Sequence, residues 1–198
     1  MQTRLIVPHR GLEAAKTRLS PVLSAEERGD LAAHLLRRVL RVARQAIADV
    51  VVISPSAALR ELVEEADARL LVQRGLGLNE GLDQARAAAV AEGVGTLIVL
   101  HGDLPELGLA DVEALAAAVP GPTGVAIAPD KTGTGTNGLA LQPPDVIEFH
   151  FGAGSRAAHE LAARTGGVAA VVVERPGLAF DLDTPEDLRG WLESGVLA

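Results

Sequence analysis

Six short apolar runs, each set off by a stretch of helical spacing or a loop, restrict this 198-residue chain more than any other feature. They are "TRLIVP" (Thr3 to Pro8), "VVVIS" (Val50 to Ser54), "RLLVQ" (Arg69 to Gln73), "TLIVLHGD" (Thr96 to Asp103), "GVAIAP" (Gly124 to Pro129) and "VAAVVVE" (Val168 to Glu174). Strands alternating with helices predict an α/β domain with a mostly parallel sheet. The first helix is the plainest: Leu31, Leu35, Val39, Val42 and Ala46 fall on one face, and Ser24 with Glu27 makes a capping box at its start. Further helices are expected over about Leu59 to Ala66, Glu80 to Ala91 and from after Leu109 to Ala118. Between Gly124 and Val168 the rhythm changes, because Asn137 to Leu141 alternates and Pro143 and Pro144 break it before Ser155 caps a short helix. This reads as a small antiparallel excursion. Residues 1–198 are expected to form one domain.

Composition removes several function classes. A net charge of −8 argues against nucleic-acid binding, whose affinity rests on Lys and Arg neutralising phosphates. No apolar run reaches membrane-spanning length, and "MQTRLIVPHR" is not a secretory leader, so a cytoplasmic protein without membrane partners is expected. Cysteine is absent and the five histidines lack ligand spacing; any metal should be a hard cation held by oxygen. Locally the balance reverses: Arg4, Arg10, Lys16 and Arg18 face one acid, Glu13, between Arg4 and Leu19. A small anion can find a basic site there. Only two of the 18 basic residues are lysines, Lys16 and Lys131.

Six stretches carry the candidate chemistry. In "LIVLHGDLP" Asp103 ends an apolar strand, where open α/β sheets collect ligands; a turn cap is the plainer reading. In "AFDLDTPEDL" an extended backbone would point Asp181 and Asp183 the same way, leaving two like charges in need of a cation. Thr184 to Asp187 read as helix capping, with Asp183 the stronger ligand candidate and Asp181 left open. "VPHRGLEAAKTRLSP" is a basic loop after the first strand, without the GxxxxGK[ST] or GxGxxG pattern, so Lys16 and Arg18 would clamp a triphosphate as fixed charges. In "RGLGLNEGLDQA" Asn79 is read first as an N-cap and second as a reader of a base edge, with Gly77 in the same loop. Finally "KTGTGTNGLAL" reads as a hairpin turn whose glycines admit an anion, facing "FHFGAGSRAAH", where Ser155 opens a helix with free N–H groups.

Taken in order, "EAAKTRLSPVLSAEER", "GLGLNEGL", "GDLPEL", "PDKTGTGTNGLAL", "FGAGSRAAH" and "GLAFDLDTPEDL" resemble the 2-phospho-L-lactate/phosphoenolpyruvate guanylyltransferase family of coenzyme F-420 biosynthesis. The resemblance spans nearly the whole chain. It implies a Rossmann-like nucleotidyltransferase fold, similar to nucleotide-diphospho-sugar transferases and molybdenum-cofactor guanylyltransferases. The reaction implied joins GTP to the phosphate of phosphoenolpyruvate or 2-phospho-L-lactate and releases pyrophosphate. On matching positions, Asp103 and Asp183 would hold Mg²⁺, with Lys16 completing the catalytic set. Arg10, Lys16, Arg18, Gly77 and Asn79 would bind the nucleotide, and Thr136, Gly152 and Ser155 the phosphorylated acid. Two positions depart from the pattern: Pro8-His9-Arg10 stands where relatives have Pro-x-Lys, and Arg156 where an aromatic is common. Partners implied are GTP, a small phosphorylated carboxylic acid and the downstream transferase that uses the product; a homodimer is left open. Alternatives are a nucleotidyltransferase of the same fold acting on a molybdopterin or sugar phosphate, a DxD-type glycosyltransferase, and a non-catalytic nucleotide-binding regulator.

Overall fold

The computed structural model describes residues 2–75 and 77–194. All six apolar runs form strands: β1 (Thr3–Pro8), β2 (Asp49–Ser54), β3 (Arg69–Val72), β4 (Thr96–Leu100), β5 (Gly124–Pro129) and β7 (Ala169–Val172). The alternating segment supplies β6 (Thr136–Gln142), and the seven make one sheet in the order β3-β2-β1-β4-β6-β5-β7. β6 runs antiparallel to β4 and β5 on either side of it, while β1, β2, β3 and β4 pair in parallel and β7 follows β5 in parallel. The central strands are buried on both faces, which is why their sequences are nearly continuous apolar runs. The edge strands β3 and β7 have only four residues each, which limits the unpaired backbone they present.

Helices cover both faces of the sheet. On one face lie α1 (Ala25–Ala46), α2 (Arg60–Glu65), α4 (Leu109–Ala117) and the short α6 (Pro176–Ala179), contributing Leu36, Val39, Leu62, Leu115 and Leu178 to a core with Leu5, Val50 and Ile98. On the other lie α3 (Leu78–Ala91) and α5 (Ser155–Thr165), whose Leu82, Ala85 and Ala163 pack with Ile6, Leu97 and Leu139. Each fully buried leucine in these layers contributes roughly 1.5–3 kcal/mol. α1 begins at the expected capping box, Ser24 Oγ accepting from the Glu27 N–H and Glu27 Oε2 from the Ser24 N–H. α7 (Pro185–Glu193) begins on Thr184 in the same way and closes a third cluster, where Trp191 and Leu182 meet Leu19 and Leu35.

Two helix starts differ from the sequence expectation. α3 begins on Gly77, so Asn79 lies inside the first turn and does not cap it. α5 begins on Gly154, whose left-handed backbone (φ 70°) turns the chain, and Ser155 is the first helical residue. At Gly154 the positive φ is one that glycine adopts freely and serine rarely does, whereas Gly77 caps α3 in ordinary extended backbone. Arg4 also leaves the basic group: buried at the start of β1, it donates to Asp49 at 2.8 Å and Glu92 at 2.6 Å. Its charge is therefore spent at the opposite end of the sheet from Lys16.

The reversal of β6 brings four separate loops together. Because it runs against its neighbours, its first residues lie beside the ends of β4 and β5, and the His101 N–H donates to the Asn137 carbonyl at 3.0 Å. Residues 9–23, 101–108, 130–137 and 179–184 thus gather at one edge.

Candidate active site

Lys16 is the centre of that edge. Its backbone is left-handed (φ 52°), an uncommon and costly state for a residue with a Cβ. It precedes a 3₁₀ turn, Thr17–Leu19, in which Leu19 is fully buried against Leu35, Leu182 and Trp191. Anchoring Leu19 turns Lys16 inward, and only 6% of its side chain remains exposed. The ammonium lies 2.5 Å from Asp103 Oδ2 and 3.0 Å from Asp183 Oδ1.

The two aspartates arrive from opposite ends of the sequence. Asp103 follows β4 through Gly102, where a Cβ would meet Val7 at 3.1 Å and Leu36 at 3.3 Å, so the turn packs tightly on the core. Asp183 sits on an extended strap held beside it by a hydrogen bond from the Leu182 N–H to the Asp103 carbonyl, at 3.2 Å. Leu182 is fully buried while Asp181 and Asp183 point away from it, as the extended backbone implied. Asn137 fixes the strap from β6, donating through Nδ2 to the carbonyls of Leu178 and Ala179 at 3.0 and 3.1 Å, and to Asp181 Oδ1 at 3.4 Å. Arg18, mostly exposed, stands 3.5 Å from Asp183 Oδ2.

The electrostatics follow from this crowding. Burial pushes Asp103 up, but the Lys16 ammonium and His101 outweigh it and hold the carboxyl below its ordinary value. Burial pulls Lys16 down, and Asp103 with Asp183 outweigh it, so the ammonium is held charged. Asp181 lacks such a cation; burial and the Asp103 carboxylate push it up. His9 accepts the Gly11 N–H on Nδ1, and burial lowers its pKa to about 4. It is therefore neutral near pH 7.

Metal binding can be tested on the donor set. Asp103 Oδ1 is buried without a hydrogen-bond partner among the described residues, while Asp103 Oδ2 and Asp183 Oδ1 both accept from the Lys16 ammonium, so the free Asp103 oxygen is the donor open to a metal beside the lysine. No three His, Cys, Asp or Glu side chains among the described residues form a complete cage. Two carboxylates with open positions fit Mg²⁺, which ordinarily completes its shell with phosphate oxygens and water. Above them opens a cleft of about 620 Å³, lined by Arg10, Lys16, Arg18, Gln73, Gly77, Asp103 and Asp183 among others. Its size suits a nucleotide.

Sequence reasoning placed Asn79 among the base-reading groups, and the structure engages it elsewhere. Its Nδ2 donates to the Phe151 carbonyl at 3.0 Å and its Oδ1 accepts the Phe151 N–H at 2.9 Å. Both halves of the amide are used to tie α3 to the 149–155 loop. Gly77 does line the cleft, and the Gln73 amide, which sequence reasoning passed over, shapes its loop by donating to the carbonyls of Gly75 and Gly77.

Thr136, Gly152 and Ser155 lie together next to this cleft and do not line it. Thr136 and Ser155 are buried, and Gly152 is exposed with φ 136°. His159, fully buried, joins the group: Nε2 accepts the His150 N–H at 3.0 Å, so the proton must reside on Nδ1, 3.2 Å from Thr136 Oγ1. Thr136 then accepts from His159 and keeps its own O–H free to donate. Two N–H groups expected to be free at the start of α5 are engaged, Ser155 to the Gly152 carbonyl and Arg156 to the Thr134 carbonyl.

The glycine-rich turn also differs from expectation. The anion it accommodates is the protein's own Asp130, whose Oδ1 accepts from the Thr134 N–H at 3.0 Å and from Thr132 Oγ1 at 2.9 Å. A Cβ on Gly135 would lie 2.6 Å from Asp130 Oδ2. Lys131 turns outward from this turn to Asp187 and the Asp181 carbonyl.

Comparison with known proteins places this arrangement. The family model described as "Guanylyl transferase CofC like" matches residues 3–195. A phosphoenolpyruvate guanylyltransferase of Rubrobacter xylanophilus is 44% identical over 197 residues, covering 98% of this chain and 96% of that one. The corresponding enzyme of Sphaerobacter thermophilus is 44% identical over 191 residues, covering 95% and 91%. Among solved structures, a Desulfovibrio desulfuricans G20 protein assigned to the nucleotide-diphospho-sugar transferases superposes with a TM-score of 0.81 at 20% identity, covering 98% of this chain and 88% of that one. The glucosyl-3-phosphoglycerate synthase of Mycobacterium tuberculosis, solved with Mg²⁺ and uridine diphosphate, gives 0.65 at 13% identity, covering 99% and 76%. These two likenesses concern the fold.

Proposed function

The chain belongs to the CofC-like guanylyl transferase family, and from that premise we propose how its residues divide the transfer of GMP from GTP to phosphoenolpyruvate, a step of coenzyme F-420 biosynthesis. Support for phosphoenolpyruvate over 2-phospho-L-lactate comes from the names of the two relatives. The single observation that carries the division is the Lys16 ammonium bridging Asp103 and Asp183 at the floor of the cleft.

Two polyanions must meet, so the site has to neutralise charge before it aligns anything. Asp103 and Asp183 would hold Mg²⁺, which when bound supplies positive charge at the triphosphate and orients the α-phosphorus. Lys16, held charged and turned inward, adds a fixed cation from the β1 loop, and Arg18 and Arg10 extend that charge along the rim. Gly77 and Gln73 also line the cleft, and the base would lie against them. A phosphate oxygen of the acid attacks the α-phosphorus; its bond to the bridging oxygen breaks, and pyrophosphate leaves with the electron pair. The acceptor phosphate is largely dianionic at neutral pH, its second pKa being about 6, so no general base is required. Neutral His9 and His159 accord with that. Thr136, with its free O–H, and the Gly152–Ser155 turn would hold the acid's phosphate and carboxylate.

Pyrophosphate release measured for GTP, ATP and CTP against phosphoenolpyruvate, 2-phospholactate and 3-phosphoglycerate tests the reaction. GTP with phosphoenolpyruvate should be fastest, and Asp103→Asn and Asp183→Asn should each lower the rate at least ~100-fold. Wild-type turnover in either variant would remove that residue from the metal site.

A further inference from the structure

Both lysines of the chain reach the same strap from opposite sides. Lys16 contacts the Asp183 carboxylate; Lys131, in the turn between β5 and β6, contacts Asp187 and donates to the Asp181 carbonyl at 3.3 Å, with its ammonium 5.2 Å from the Phe180 ring centre. The Asp187 carboxylate is the joint. Its Oδ2 accepts the N–H of Asp183 at 3.1 Å and that of Thr184 at 2.8 Å, while its Oδ1 takes the Lys131 ammonium. Thr184 Oγ1 accepts the Asp187 N–H in return, at 3.2 Å.

A helix cap explains the bonds between Thr184 and Asp187, but it does not require a lysine 56 positions away, nor a bond to the amide of Asp183 itself. Two backbone N–H groups hold one oxygen of the Asp187 carboxylate, and its second oxygen needs a further donor to be held as firmly. Lys131 holds it. Without that contact Asp187 keeps only the bonds to Oδ2, and the Asp183 amide is held less firmly in its backbone direction.

We propose that Lys131 is a positioning residue for the metal end of the site: by locking Asp187 against the Asp183 amide, it holds the Asp183 carboxylate opposite Asp103. The lysine of the glycine-rich turn thus serves the metal carboxylates and does not grip the phosphorylated acid. This rests on the reading of Asp183 as a metal ligand. Groups that orient a ligand without touching the metal commonly change metal affinity 10- to 100-fold, and partial exposure of Lys131 puts the expectation at the lower end.

The test is Mn²⁺ binding, followed by electron paramagnetic resonance in the presence of α,β-methylene GTP, for the full chain and its variants. Lys131→Met should weaken Mn²⁺ about tenfold, with Lys131→Arg staying near wild type and Asp187→Asn weakening it at least as much as Lys131→Met. Melting temperatures separate this from unfolding: Lys131→Met should melt within a few degrees of wild type. At saturating metal its acceptor KM should be unchanged. If Asp183→Asn loses Mn²⁺ but Lys131→Met binds it as wild type does, the positioning role is wrong. A raised acceptor KM in Lys131→Met with unaltered Mn²⁺ binding would instead place the lysine on the acid. If Asp183→Asn itself binds Mn²⁺ normally, the metal reading fails and the positioning role falls with it.

Discussion

His159 should make the protein lose stability in mild acid by an amount that the structure sets. The ring is fully buried, and burial, aided by His150, lowers its pKa from 6.5 to about 4. Nε2 accepts the His150 N–H, so a proton arriving there would turn an acceptor into a donor facing a donor. Between pH 6.5 and about 4 the unfolded chain binds this proton and the folded chain does not, so stability falls as pH falls. The contribution is fully present above pH 6.5, about 2 kcal/mol is lost by pH 5, and about 3 kcal/mol below pH 4, at 1.36 kcal/mol per pKa unit. For a domain of this length 2 kcal/mol corresponds to roughly 4–8 °C in Tm. Urea unfolding of wild type and His159→Gln at pH 7.5 and pH 5.0 gives the quantity needed. His9 has a lowered pKa with the same sign, but it is present in both proteins and cancels in the difference. The variant should start less stable at pH 7.5 and lose about 2 kcal/mol less on acidification. Equal losses in the two proteins would refute the neutral, buried assignment and the tautomer built on it.

Asn79→Ala removes both hydrogen bonds to Phe151 and should cost about 1–3 kcal/mol, read as a lower urea midpoint at unchanged m. Gly135→Ala drives a methyl into Asp130 and should destabilise by about 1–3 kcal/mol; in an Asp130→Ala background the same change should cost much less, which a double-mutant cycle would show. Arg18→Ala, at an exposed rim position, should raise the GTP KM a few-fold at low salt, with the difference shrinking as ionic strength rises.

The parts legible in the sequence were those fixed by local pattern. Strand runs and the stripe of α1 follow from periodicity, and the Ser24–Glu27 box needs only residues three apart. The alternation of Asp181 and Asp183 around Leu182 is likewise a property of extended backbone. The starts of α3 and α5 were misread because Asn and Ser carry strong cap preferences; α5 instead turns on left-handed Gly154, and α3 starts on Gly77 in extended backbone, with Glu80 reaching back to its N–H. Asn79 then found a partner 72 residues away, which no local rule supplies. Lys131 and His159 were hidden for the same reason: the contacts that define them join segments 23 to 56 residues apart. Asp130 was hidden differently. A glycine-rich turn invites an anion, and nothing in the composition of the turn says that the anion is already part of it.

The reversed strand has a consequence for redesign. Since β6 enters the sheet from the edge where β4 and β5 leave it, the turn over residues 130–135 is a hairpin end whose length is set by no crossover helix. Residues can be added to or removed from it while β1 to β4 keep their pairing and Asp103 its place. A library confined to this hairpin and to residues 152–156 would therefore vary the pocket proposed for the acid while sparing Phe151, which Asn79 ties to α3 beside the cleft proposed for the nucleotide. Asp130, Lys131 and Gly135 are the positions in it to hold constant.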